Sequence, residues 1–128
     1  MSDKPVAERL QVKRGRRLAV LGATDAINDA IGSKDARADA GDADVVLLFI
    51  ADRASLRTKL PALLSQLRTE AILWIAYPKL GSKLAGDLNR NVIAAAAPAY
   101  GLDTVSQIAI DDVWSALRVK REIGRAHV

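Results

Sequence analysis

Short apolar runs separated by polar segments dominate this sequence. The runs cover residues 18–22, 45–50 and 71–77, and a mixed segment at 105–110 predicts a further strand; none of these segments contains a charged residue. Continuous apolar runs of this length are typical of strands that are buried on both faces. The strongest, residues 45–50, is predicted to lie at the centre of a sheet covered by helices on both sides. Residues 114–120 alternate only partially, which predicts an antiparallel strand near an edge, in a hairpin with 105–110.

Helical signals lie between the apolar runs. Residues 1–10 predict a short N-terminal helix with Asp3 as its cap and Pro5 in its first turn. Thr24 and Asp25 form a helix start and Gly32 a stop, which predicts a helix of about two turns. The next helix carries a stripe of leucines at helical spacing, namely Leu56, Leu60, Leu63, Leu64 and Leu67.

Three segments depart from this alternation of clear strands and helices. Pro61 interrupts the leucine stripe, so that either the helix kinks or a second helix begins there. Residues 33–44 are small and acidic, and they hold the weakest strand signal of the chain. Residues 79–86 form a loop, after which Asp87 is predicted to cap a last helix that ends at Gly101.

The alternation of strands and helices predicts a single α/β domain over residues 1–128, with a core at about 8–121 and a basic tail at 122–128. We expect a three-layer Rossmann-like sandwich with a mainly parallel sheet and a C-terminal antiparallel hairpin. Ligands of such sheets bind outside the carboxyl ends of the strands. Sequence alone leaves the oligomeric state open, because the hairpin could expose a strand edge.

Composition narrows the chemistry. The 128 residues include no cysteine and one histidine, His127, which argues against thiolate metal sites, cysteine nucleophiles and a Ser-His-Asp triad. No N-terminal segment has the pattern of a signal peptide, and the longest apolar run is too short to span a bilayer, so we expect a cytoplasmic protein.

Charge is distributed in blocks. Residues 1–17 carry six basic and two acidic residues, 18–52 carry two and seven, and 53–90 carry seven and two. This alternation argues against a continuous nucleic-acid track, although folding could bring the basic blocks together.

Several segments resemble known families. Residues 10–22, a basic turn with a glycine that leads into the first strand, resemble the entry to class I methyltransferases. The chain also resembles a small bacterial family of unknown function over about residues 8–121. The segments that carry this second resemblance are Asp44–Phe49, Leu73–Lys79, Asp87–Arg90 and Asp111–Arg118. Together the resemblances imply a truncated methyltransferase-like topology.

The resemblance to methyltransferases also implies a site for S-adenosylmethionine, from which this chain departs. The acidic position of the first strand falls on Val20, and the second and third glycine positions fall on Thr24 and Ala26. Side chains there block close approach of the backbone to a cofactor. Asp39 or Asp42 could replace the acid that binds the ribose. We therefore expect no cofactor and no metal.

The best candidate ligand site surrounds the loop after the third apolar run. Lys79 and Lys83 flank a Gly-Ser turn ahead of a helix N-terminus, where ammonium groups and exposed amides suit an anion. The members of this cluster are Tyr77, Lys79, Ser82, Lys83, Asp87 and Arg90. The alternative is that these residues end a strand, cap a helix and face solvent.

Two further clusters follow other strands. Thr24 and Asp25 could contact a ligand or simply cap a helix. Asp111, next to Asp112, and Trp114 could form part of a site, or else a turn with a tryptophan that closes the core.

These observations predict a non-catalytic or degenerate Rossmann-like module that binds a small anionic ligand or a protein partner. The alternative is a small methyltransferase-like or nucleotide-handling enzyme that uses the Tyr77–Arg90 face. A weak nucleic-acid binder is a further alternative.

Overall fold

A computed structural model describes residues 6–13 and 15–121, and the predictions for Asp3, Pro5 and the 122–128 tail lie outside these residues. The helices are α1 (Val6–Arg9), α2 (Asp25–Ile31), α3 (Arg53–Leu64) and α4 (Arg90–Ala96), and 3-10 turns occupy Lys34–Ala36 and Ala97–Tyr100. The strands are β1 (Leu18–Leu21), β2 (Val45–Phe49), β3 (Ile72–Pro78), β4 (Leu102–Ala109) and β5 (Trp114–Arg121). None of the helices in the described part of the chain is long and apolar enough to cross a membrane.

The strands form one mixed sheet in the order β1-β2-β3-β5-β4. The first three are parallel, and β5 pairs antiparallel with both β3 and β4. The fold is therefore the predicted α/β sheet with a terminal antiparallel hairpin. The prediction that residues 114–120 form an antiparallel strand near an edge is confirmed: β5 lies next to β4, the outermost strand. The alternation along β5 is weak because residues 114–117 are all buried.

Helices cover both faces of the sheet, which gives the predicted three layers. On one face, β2 and β3 contribute Val46 and Ile75 to a cluster with Leu60 of α3 and Ile93 of α4. On the other face, Leu47 and Trp74 pack with residues of α1 and α2. Every residue of β2 is buried, as its continuous apolar run predicts, and β2 lies one strand from the middle strand, β3.

Helix α3 continues through Pro61, so no second helix begins there. Proline removes the hydrogen bond that its N–H would donate to the carbonyl four residues earlier. That carbonyl belongs to Arg57, and both residues are exposed, so water can satisfy it. The leucine stripe buries Leu56, Leu60 and Leu63 on the opposite side of the helix.

Residues 33–44 contain only a 3-10 turn and one isolated parallel bridge, between Leu18 and Arg37. This bridge lies on the outer side of β1, where a doubly wound sheet continues with a full strand. The chain approaches it from α2 on one face of the sheet and leaves it with Ala40 and Ala43 in the core of the other face. A single bridged residue thus replaces a strand at the crossing.

Arg37 is held in this position by the end of α2. Its guanidinium donates to the side chain of Asn28, and to the backbone carbonyls of Asn28 at 3.2 Å and Gly32 at 2.8 Å. These carbonyls belong to the last turn of the helix, where a cation is favourable. Partial burial lowers the pKa of Arg37 and the charge of Asp29 opposes that shift, so the residue stays charged.

Asp44 ties three segments together at the amino ends of the strands. Its carboxylate accepts from the backbone N–H of Arg17 at 2.8 Å and from the guanidinium of Arg68 at 2.6 Å. Its carbonyl accepts from the N–H of Ile72 at 2.8 Å. The hydrogen bond from Arg17 is the main cause that lowers the pKa of Asp44, and Arg68 adds to it.

We expect Asp44→Asn to destabilise the protein at neutral pH and to flatten its acid denaturation. The folded pKa of Asp44 lies below its unfolded value of about 3.9, so its stabilisation is complete above that value and is lost as pH falls through the folded pKa. Urea unfolding from neutral pH to below about pH 4 measures this slope. The exposed Asp42→Asn is the matched control, and an equal flattening in it would contradict the role of Asp44.

We expect Trp74→Phe to loosen the N-terminal segment. The buried indole N–H of Trp74 donates to the carbonyl of Leu10 at 2.9 Å, and phenylalanine would leave that carbonyl without its donor. The cost is about 1–3 kcal/mol in the free energy of unfolding. Trypsin should then cleave at Lys13 faster relative to global unfolding. Unchanged cleavage and stability would show that the bond is dispensable.

Candidate functional site

An open groove of about 420 Å³ lies at the carboxyl end of β3, on the face of the sheet that α4 covers. Three elements form it: the end of β3 with its following loop, the start of α4, and the hairpin of β4 and β5. Its lining consists of Tyr77, Lys79, Leu80, Asn89, Arg90, Gln107, Ala109 and Ser115. The groove lies where ligands of open α/β sheets bind.

Two buried hydroxyl groups form the floor of this groove. Tyr77 and Ser115 are direct neighbours in the antiparallel pairing of β3 with β5, and both are at most 5% exposed. Burial raises the pKa of Tyr77 above its ordinary value, while the hydrogen bond with Ser115 and the charge of Arg90 oppose that shift. Tyr77 is therefore a neutral phenol at physiological pH.

In the part of the chain that the structure describes, the charged residues that line the groove are both cations. Lys79 is partly exposed and Arg90 is exposed, and the other lining residues are neutral. The side chain of Asn89 lines the groove and also caps α4, because its Oδ1 accepts from the N–H of Val92 at 3.0 Å. The groove is electropositive, with hydroxyl and amide groups between its two cations.

The structure thus gathers Tyr77, Lys79 and Arg90 of the predicted cluster in one groove. It adds five residues that sequence reasoning missed, which are Leu80, Asn89, Gln107, Ala109 and Ser115. Three of these lie on β4 and β5, and their approach to Tyr77 depends on the order β3-β5-β4. Alternation within the hairpin could have placed them on one face, but no sequence signal showed which strand β5 joins.

The other members of the predicted cluster lie outside the groove lining. Lys83 is exposed, and Ser82 has a buried hydroxyl without a hydrogen-bond partner among the described residues. The prediction that Asp87 caps the last helix is wrong. Helix α4 begins at Arg90, so Asn89 occupies the cap position, and Asp87 reaches α3 instead.

Two carboxylates satisfy the N-terminus of α3. Asp52 accepts from the N–H of Ser55 at 2.8 Å as the helix cap, and Asp87 accepts from the N–H of Arg53 at 2.9 Å. A helix N-terminus attracts anions through its unpaired N–H groups and its dipole. Because the protein supplies its own anions there, the end of β2 is a poor site for a second one.

At the end of β1, a side chain of the protein likewise bonds to the N-terminus of the following helix. Thr24 Oγ1 accepts from the N–H of Ile27 at 3.2 Å and caps α2, while Asp25 is exposed in the first turn. Gly22 has φ +81°, and a Cβ there would lie 2.8 Å from the carbonyl oxygen of Phe49. Only glycine fits this approach of the loop to the end of β2.

Asp111 and Trp114 have structural positions in the hairpin. Asp111 Oδ1 accepts from the N–H groups of Val113 at 2.8 Å and Trp114 at 2.7 Å, which closes the turn between β4 and β5. Trp114 packs edge-on against Phe49 with ring centroids 4.9 Å apart. Asp112 is exposed, and the described residues contain no group of three or more acidic or histidine side chains suited to a metal ion.

A second open cleft, of about 660 Å³, lies beside β1 and is lined by Gly22, Asp39 and Lys59 among others. Asp39, one of the two predicted replacements for a ribose-binding acid, therefore lies near the end of β1, whereas Asp42 does not line the cleft. The glycine cradle is still missing, because the side chain of Thr24 is committed to the helix cap. The residues present do not form a complete site for S-adenosylmethionine.

Solved structures of similar fold include methyltransferases. The mitomycin 7-O-methyltransferase MmcR aligns with a TM-score of 0.61 at 13% identity, over 84% of this chain and 50% of its own. The ribosomal protein L11 methylase of Lactobacillus delbrueckii subsp. bulgaricus aligns with a TM-score of 0.57 at 16% identity, over 90% of this chain and 74% of its own. At such identities the similarity establishes the fold alone.

A third neighbour is the Methanococcus jannaschii fibrillarin pre-rRNA processing protein, with a TM-score of 0.53 at 13% identity, over 94% of this chain and 70% of its own. This chain spans half the length of the mitomycin methyltransferase, and so it carries only part of what that enzyme contains. A search of the curated proteins finds no sequence match.

One family matches the sequence over residues 21–122, which is most of the chain and includes β2 to β5, the groove and the cleft. The fold it adopts here is methyltransferase-like, in agreement with both resemblances that the sequence indicates. The chain belongs to DUF3052, a family of proteins of unknown function.

Proposed function

We propose that this protein is a non-catalytic binding module of methyltransferase-like fold that takes a small anionic ligand in the groove at the end of β3. One observation carries the proposal: among the described residues, the charged side chains that line the groove are two cations, Lys79 and Arg90. Its volume of about 420 Å³ suits a metabolite-sized ligand. The cytoplasm remains the predicted compartment.

The lining groups favour a phosphate monoester or a carboxylate. A guanidinium presents a planar fork that matches both anions, and an ammonium adds a point charge. Because the hydroxyls of Tyr77 and Ser115 share a hydrogen bond, one of them can still donate to the ligand. That hydroxyl and the amide of Gln107 can bond to the remaining oxygens or to the body of the ligand. Leu80 and Ala109 offer apolar contact on the same side.

The same lining gives little support for acid–base catalysis. A general base needs a pKa near the working pH, and histidine or a carboxylate usually provides it. The groove has neither among its lining residues. The pKa of Tyr77 is raised, so its hydroxyl donates a hydrogen bond at neutral pH and does not accept a proton.

We expect Lys79→Ala and Arg90→Ala each to weaken anion binding by about tenfold, because each removes a charge-assisted hydrogen bond of about 1.5 kcal/mol. Amide chemical shifts, titrated with inorganic phosphate, a phosphate monoester and a dicarboxylate, measure the affinity. Lys83→Ala is the matched control, since it removes the same charge from the same loop outside the groove. An equal loss in Lys83→Ala would reduce the effect to net charge and contradict the site.

The same titration separates the alternatives. A shift with S-adenosylmethionine that Asp39→Ala abolishes would assign the ligand to the cleft beside β1 and overturn the proposal. A salt-dependent response to an RNA oligomer, without any response to small anions, would favour a nucleic-acid binder. A response to none of these probes would leave the groove without the proposed ligand class and would also contradict it.

We expect Tyr77→Phe to weaken binding several-fold while leaving the fold intact, because it removes one neutral donor from the floor and keeps the ring. The loss should not depend on salt, whereas the loss in Lys79→Ala should shrink as salt rises. Isothermal titration at two ionic strengths makes this comparison. Full affinity in Tyr77→Phe would show that the ligand does not reach the floor.

A further inference from the structure

A further groove, of about 450 Å³, lies between α3 and α4, and we call it the interhelical groove. Helix α3 forms one wall with Arg53, Leu56 and Arg57. The other wall consists of residues of α4 and of the 3-10 turn that follows it, namely Asn91, Val92, Ala95, Ala96, Ala99 and Tyr100. None of these residues lines the groove at the end of β3, so the two sites are separate.

The floor of the interhelical groove and its α4 wall are apolar. Leu56 is buried, and Ala96 and Tyr100 are half-buried against the core. Residues 91–101 contain no charged side chain, although Ala95 and Ala99 are exposed to solvent. A surface helix usually presents charged or polar residues on its outer side. This wall therefore offers apolar contact to a ligand at a position where a solvated helix normally carries charge.

The α3 wall carries two cations without a counter-ion in the described part of the chain. Arg53 and Arg57 lie one helical turn apart, so their side chains can reach a common anion. Neither guanidinium forms a hydrogen bond or an ion pair with another described residue. The nearby carboxylates of Asp52 and Asp87 instead accept from backbone N–H groups at the start of α3. The lining thus combines two available guanidinium groups with an apolar surface.

The size of the interhelical groove favours a small molecule over a protein partner. Nine residues line it, whereas a standard protein interface takes about 20–30 residues on each side. Its volume of about 450 Å³ lies within the range of small-molecule sites, which is about 300–1,000 Å³. From Asn91 to Tyr100 the helical rise gives a length of about 14 Å. These dimensions suit an elongated small ligand.

We propose that the interhelical groove binds a small amphipathic anion, in which an apolar chain ends in a carboxylate or a phosphate. Guanidinium groups match the planar or branched oxygens of both head groups. Helices α3 and α4 both begin at the carboxyl end of the parallel strands, which places Arg53 and Arg57 towards the start of α4. The head group therefore lies at that end, and the chain extends along Ala95 and Ala99.

Titration of amide chemical shifts with octanoate and octyl phosphate, below their micelle concentrations, tests the proposal. The amides of Val92, Ala95 and Ala99 should shift with at least one of the two probes. Octanol lacks the charge and succinate lacks the chain, so each should bind at least about tenfold more weakly. Each methylene removed from octanoate should weaken binding by up to about fourfold, because it removes buried apolar surface.

Two pairs of variants locate the ligand. Arg57→Gln should weaken binding by about tenfold, whereas Lys59→Gln removes the same charge from the same helix outside the groove and should have little effect. Ala95→Glu places a carboxylate opposite the arginines and should abolish binding. Ala94→Glu is its control, since Ala94 is exposed on the same helix but does not line the groove. Circular dichroism checks that all four variants are folded.

Three outcomes would overturn the proposal. The first is the absence of a response to both octanoate and octyl phosphate, and the second is an equal affinity for octanol, which would leave the arginines without a role. The third is binding that survives Ala95→Glu but is lost in Lys79→Ala, because the probe would then occupy the groove at the end of β3. Binding of inorganic phosphate at Lys79 is measured separately, so the two sites stand or fall independently.

Discussion

The arrangement of the whole sheet depends on the point where the chain crosses from one face to the other, at the bridge between Leu18 and Arg37. Parallel strands require crossovers of fixed handedness, so the segments before and after the bridged residue Arg37 must lie on opposite faces of the sheet. A doubly wound fold makes this reversal with complete strands. In this protein a single bridged residue, Arg37, makes the reversal. It can do so because its guanidinium donates hydrogen bonds to the carbonyls at the end of α2.

The way the loops end after β1 and β2 underlies the proposed position of the ligand. Loops diverge at the ends of β1 and β2, which is the usual binding position. In this protein Thr24, Asp52 and Asp87 already satisfy the N–H groups there, and Gly22 lies against Phe49. Two cations, Lys79 and Arg90, lie one strand further along, where they line the groove with the hairpin. In the proposed function, this chain keeps the fold of its structural neighbours and binds its ligand at a different position.

Local rules predicted what local interactions decide. Continuous apolar runs identify β2 and β3, Thr24 caps α2, and Asp111 closes its turn, because each depends on residues close in sequence. The features that the sequence did not predict depend on contacts between distant parts of the chain. Asp87 contacts a helix 34 residues away, and the burial of β5 comes from its insertion between β3 and β4. Ser115 joins the groove for the same reason, since pairing with Tyr77 is a property of the topology.

The same strand order determines how the hairpin of β4 and β5 contributes to the groove. Because β5 pairs with β3, its buried side chains complete the floor beside Tyr77. Strand β4 is therefore the outermost strand of the described sheet, and its Gln107 and Ala109 form a wall of the groove. A strand cannot rearrange its outer edge without moving the side chains that alternate along it. The position of this groove wall is therefore fixed by the pairing of β4 with β5, which holds Gln107 opposite Leu117 and Ala109 opposite Ser115.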